Sequence, residues 1–183
     1  MRLVHHSDHY LTEIRDAGQD RDRDGMRGDC AMKPFGLWVS VEGDDDWPSW
    51  CRAEQFQLGK LTHPTEVVLR DNANVLRLRD ESEIRNFHQE YGCRPHFADK
   101  MGDSGLFDGN AVRWAAVAER YSGIIIAPYV WSLRLDQTVR WYYPWDCASG
   151  CIWSSRAVAE LVPLPTLQHS VDRTDASTDS TGA

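Results

Sequence analysis

His5-His6-Ser7 reads H-x-S and follows the apolar pair Leu3-Val4. An imidazole and a hydroxyl at that spacing offer directional hydrogen bonds near neutral pH. Further along, Gly36-Leu37-Trp38-Val39-Ser40 carries an indole and a hydroxyl, and Trp50-Cys51 begins twelve residues after Trp38. Indoles bring large flat faces able to grip a planar ring, although any single Trp is as readily a core residue. The segment VRWYYPWDCASGCIW contains no Glu; Asp146 is its carboxylate, and Gln137 is the nearest amide. It reads first as a strand pair closing the core.

Other chemistries have thinner support. His5 and His9 could share a metal ion, but no Cys or carboxylate stands at the usual ligand spacing. Cys147 and Cys151 form a C-x3-C pair without a second pair, and Cys30, Cys51 and Cys93 have no matching spacing. Buried structural thiols are therefore expected. A Gly-rich phosphate loop with its Lys, a G-x-G-x-x-G turn and a G-x-S-x-G elbow are all missing, so kinases, Rossmann oxidoreductases and α/β-hydrolases find no support.

The elements that must position these residues follow from local pattern. Strands are expected over 1–6, 33–42, 65–70, 75–79, 123–129 and 139–143. Asp44 to Asp46 lead into Trp47-Pro48, which predicts a helix over 48–57. Asp80 with Glu83 resembles a capping box for a helix that presents Ile84, Phe87 and Tyr91 on one face and stops at Gly92. A third helix is expected over 111–121, capped by Asn110. Residues 15–30 and 93–109 read as loops, the first charged and mobile, and residues 163–183 as a disordered tail. The order of elements describes a single α+β domain over 1–162, not a doubly wound sheet.

The chain has 183 residues, 42 % hydrophobic and 26 % charged, enough for one ordinary core. Its net charge of −8 argues against holding duplex DNA stably, though not against a nucleic acid touched briefly as substrate. No apolar run approaches a membrane span, and MRLVHHSDHY lacks the apolar core of a signal peptide. With five cysteines, an odd number, that predicts reduced thiols and a cytoplasmic protein.

The H-x-S strand, the G-L-W-V-S strand and the following Trp-Cys resemble the ADP-ribosyltransferase superfamily, in its poly(ADP-ribose) polymerase and diphtheria-toxin-like branch. There H-G-S or H-G-T is followed by G-[IL]-Y-F-[AS], and then by an aromatic beside a small residue or Cys. The resemblance implies a mostly antiparallel split β-sheet with about three helices, and NAD as substrate. It implies that His5 and Ser7 bind the adenosine ribose side of NAD, that Trp38 and Trp50 sandwich the nicotinamide, and that Ser40 belongs to the same site. His6 stands where the family has Gly, and Trp replaces Tyr at both aromatic positions. The family's acid at the start of a late strand falls nearest to Asp146. The implied activity is transfer of ADP-ribose to a protein or nucleic acid.

The chain over residues 1–155 also resembles small proteins of bacteriophages and their hosts, a likeness that names no activity. It implies action in a host cytoplasm. In that setting a second reading is a non-catalytic acidic protein that binds and inhibits a host or defence protein, using the run Asp44 to Asp46 and the Trp-rich segment.

Overall fold

The structure, a computed structural model, describes residues 1–19, 30–94 and 111–166. The chain forms β1 (Leu3–His5), β2 (Leu37–Val41), α1 (Trp47–Glu54), β3 (Thr65–Leu69), β4 (Val75–Leu78) and α2 (Glu81–Tyr91). It continues through β5 (Gly92–Cys93), β6 (Ala111–Val112), α3 (Trp114–Ala118), β7 (Gly123–Ile126), β8 (Ser149–Ile152) and β9 (Val158–Pro163). The architecture is mixed α+β. Seven strands form one sheet in the order β4-β7-β8-β2-β1-β3-β9, continuous rather than split in two, and β5 pairs with β6 separately. Among the described strands only β4 and β7 run parallel; the other pairs are antiparallel.

The centre of the sheet follows from residue type. Gly123 to Ile126 and Ser149 to Ile152 are buried throughout, as expected of strands covered on both faces. Their close pairing requires Gly150, because a Cβ there would lie 2.6 Å from the Ile124 carbonyl oxygen. Gly36 enters β2 at φ +150°, where a Cβ would meet the Ile152 carbonyl at 2.6 Å and Cys151 Sγ at 2.9 Å. The helix starts match their sequence signals. Asp46 accepts the Ser49 amide at 2.9 Å and Asp80 accepts the Glu83 amide at 2.9 Å, each satisfying a donor the helix leaves unpaired. Glu83 bonds back to the amide of Arg79, one residue before the cap, instead of to Asp80 itself.

Several expectations are corrected. Residues 139–143 are not a strand; they lie in the 3-10 segment Gln137–Trp145, kinked at Val139. Asp136 caps it through the Thr138 amide at 2.8 Å, and Pro144 has no donor to give a strand partner. The third helix is shorter than expected. Ala111–Val112 pairs with β5 and with Ala31, leaving Trp114–Ala118 helical; Asn110 lies outside the described residues.

Cys30 and Cys93 are not thiols but a disulfide, with Cα atoms 6.2 Å apart, whereas Cys51, Cys147 and Cys151 are free and buried as expected. The start of the charged loop is fastened: Gln19 is buried and exchanges hydrogen bonds with the backbone of Phe35 at 2.7 and 2.9 Å. The rest of that loop (20–29), most of the second loop (95–110) and the tail from 167 lie outside the described residues. Within the expected tail, residue 163 still belongs to β9, and Leu164 donates its amide to the Pro64 carbonyl. No helix among the described residues is long and apolar enough to cross a membrane.

Candidate functional site

Neighbouring strands β1, β2 and β8 present their residues to one cleft of about 430 Å³, roofed by the start of α1. That volume is in the range of small-molecule sites. His5, Ser7, Trp38 and Ser40 all border it. His5 sits at the end of β1, and its Nδ1 lies 2.8 Å from the Trp38 carbonyl oxygen. A carbonyl only accepts, so Nδ1 carries the proton and Nε2 is left as an acceptor. Burial holds the ring below the usual histidine pKa, so it is neutral at pH 7. His6, beyond the end of the strand, also borders the cleft. Burial pushes it down to about 4, and its Nδ1 has no partner among the described residues.

The remaining expected residues divide. The Ser7 hydroxyl bonds to the carbonyl of His9 and accepts the His9 amide at 3.1 Å, closing a local turn on the cleft rim. Trp38 packs edge-on against Trp145, with ring centroids 4.9 Å apart, and the Lys33 ammonium stands 4.6 Å from its ring. Ser40 is buried and already engaged: its Oγ accepts the Trp47 amide at 2.8 Å. Trp50 does not line the cleft. It stacks on Trp47 at 5.0 Å and 15°, and Trp47 itself forms the cleft wall. Asp146 is also outside the cleft, bordering a smaller concavity that shares Cys147 with it. Its carboxyl is raised by burial, against the pull of Lys33 and Arg134.

At the start of β8, where the resemblance calls for an acid, stand Cys147 and Ser149. Ser149 donates to the Cys147 carbonyl at 3.0 Å, and burial pushes the Cys147 thiol up to about 12, so it remains protonated. Among the described residues Asp8 is the carboxylate that does border the cleft. Among the described residues no group of three His, Cys, Asp or Glu side chains could hold a metal ion.

Sequence reasoning missed Lys33, Trp47, Lys60 and Trp145 as cleft residues. A signal for Trp47 was present, since the Asp46 cap and Pro48 put it on the first turn of α1, at the mouth of the sheet. The lysines had a signal too. The chain has only three, and two of them border this cleft; the third, Lys100, lies outside the described residues. Trp145, 2 % exposed, has no partner for its indole N–H among the described residues. Neutral imidazoles, three indoles, two ammonium groups and an unpaired donor suit a ligand with a planar ring, hydroxyls and negative charge. Comparison with protein-family models, with curated proteins and with solved structures finds no match to this chain.

Proposed function

We propose that this cleft binds NAD and that the protein is ADP-ribosyltransferase-like in fold and activity, passing ADP-ribose to a protein or nucleic acid. The observation that carries the reading is the meeting of His5, Ser7 and Trp38 in one cleft with two of the chain's three lysines. In this reading His5 Nε2 accepts a ribose hydroxyl, and Trp47 replaces Trp50 as the second aromatic wall. Lys33 and Lys60 meet the diphosphate, drawing the Lys33 ammonium off the Trp38 ring so that ring can stack on the ligand.

Transfer breaks the bond between ribose C1′ and the nicotinamide nitrogen, with the electron pair leaving on that nitrogen. The acceptor's nucleophilic atom then bonds to C1′ and gives up its proton. A water-poor aromatic cleft favours this by orienting the reactants. A carboxylate near the developing cation is also needed, and the candidates are Asp8 on the rim and Asp146 beyond Cys147.

The test is a tryptophan-fluorescence titration with NAD, followed by nicotinamide release on the same sample. Saturable quenching with release, lost in Asp8→Asn or Asp146→Asn, is the expected result. Trp47→Ala should weaken binding about tenfold, while Trp50→Phe keeps it within about threefold. Quenching without release reduces the assignment to an NAD-binding domain, and absence of quenching overturns it.

A second reading, an acidic protein that binds and inhibits a host or defence protein, draws on one observation. Trp131, Leu135 and Tyr143 are 55 %, 73 % and 46 % exposed, large apolar groups of a kind that anchor protein contacts.

A further inference from the structure

Lys33 stands on the wall of the 430 Å³ cleft, half-buried, with its nitrogen 4.6 Å from the centroid of the Trp38 ring. Among the described residues it makes no hydrogen bond and no ion pair. The carboxylates closest in the fold are engaged elsewhere. Asp8, on the same cleft, is bonded to His9 Nδ1 at 2.6 Å, and Asp146, outside it, faces Arg134 at 3.9 Å. The cleft around the amine is built instead from the indoles of Trp38, Trp47 and Trp145, two neutral imidazoles and the Cys147 thiol.

Water and paired carboxylates are what keep a lysine charged and inert, and an amine short of both becomes a nucleophile. Burial is the largest influence on Lys33 and lowers its pKa from the ordinary value, with Asp146, Cys147 and Cys151 pulling the other way. Lys60 borders the same cleft but is exposed, so the two amines differ in setting while sharing one space.

We propose that Lys33 is a carbonyl-reactive amine, which condenses with a small aldehyde whose anionic group is met by Lys60. Lys33 first gives its ammonium proton to water. The neutral nitrogen then adds to the aldehyde carbon, its two hydrogens leave with the carbonyl oxygen as water, and a carbon–nitrogen double bond remains. Nothing is oxidised or reduced. The aromatic wall suits an aldehyde on a planar ring, and the cleft has the volume for such a molecule with a phosphate attached. This chemistry goes beyond the NAD reading and does not rest on it.

The test incubates the full chain with pyridoxal phosphate at pH 7.5, without NAD, traps the imine with borohydride and locates the label by peptide mass spectrometry. Borohydride supplies the hydride that turns the imine into a stable secondary amine. The chain's small number of lysines keeps the map simple. Lys33 should be labelled about fivefold or more faster than the exposed Lys60. The rate at Lys33 should saturate as the aldehyde concentration rises, because binding precedes condensation. In Lys60→Gln, an exposed position, the half-saturating concentration should rise about threefold or more. Labelling of Lys60 as fast as Lys33, a rate that rises linearly with aldehyde, or an unchanged half-saturating concentration in Lys60→Gln each overturns the proposal. Because NAD is absent from the assay, a failure of the NAD reading leaves the result untouched.

Discussion

The backbone N–H of Trp47 donates to the Ser40 hydroxyl at 2.8 Å, so one hydrogen bond fastens the first turn of α1 to the middle of the sheet. The serine that the family resemblance assigns to ligand binding therefore acts one step away from it, by setting where the Trp47 wall stands. Ser40→Ala leaves that amide unpaired in a half-buried position and should cost about 1–2 kcal/mol of stability. Urea unfolding measures the loss, and a fall in NAD-induced quenching at temperatures where the variant is folded measures the displacement of Trp47. Ser40→Thr, which keeps the acceptor, should restore most of both.

The cleft histidines make stability depend on pH. Burial lowers His5 below its ordinary value and His6 to about 4, while an unfolded chain titrates its histidines near 6.5. Between those values the unfolded chain binds protons that the native state refuses, so stability falls as pH drops from about 6.5 towards 4. For His6 the loss should be about 1–2 kcal/mol after allowing for solvent near the ring. Asp46 opposes the shift and His5 and Arg52 reinforce it. Thermal unfolding across this range should show the decline, and His6→Gln, which cannot titrate, should flatten it. A melting temperature constant between pH 6.5 and 4.5 would contradict the assignment.

The Cys30–Cys93 bond closes a loop between residues 63 apart in sequence. Thiol titration of the denatured chain should find three reactive groups without reductant and five with it. Cys93→Ser should lower stability by about 2–4 kcal/mol under oxidising conditions and by far less in a reducing buffer. Five thiols without reductant would refute the pairing.

The strands and helices with strong local signals were legible. The β-branched run Ile124 to Ile126, the Asp80 cap and the Ile84, Phe87 and Tyr91 face are decided by residue type and spacing alone. Half of the cleft was legible because His5, Ser7 and Trp38 share a local pattern. The other half comes from tertiary juxtaposition. Trp145 comes beside Trp38 because β8 pairs with β2, a contact no local spacing encodes. Residues 139–143 misled because Val, Trp and Tyr favour strands, whereas the Asp136 cap and Pro144 decide for a 3-10 path. Trp50 misled for a simpler reason: counting from Trp38 finds it, but the helix begins at Trp47, so Trp50 points to the neighbouring concavity. The disulfide joins segments on either side of two helices, and nothing in the cysteine spacing announces it.

The sheet order also has a consequence for synthesis. The ribosome makes β1 early and β8 late, yet the two flank β2 on opposite sides and their residues share the cleft. A nascent chain that has emerged only as far as residue 148 has His5 and Trp38 but no β8 to complete the wall. The cleft is therefore assembled only after almost all of the domain has left the exit tunnel, and until then its two sides exist on a chain that has not yet joined them.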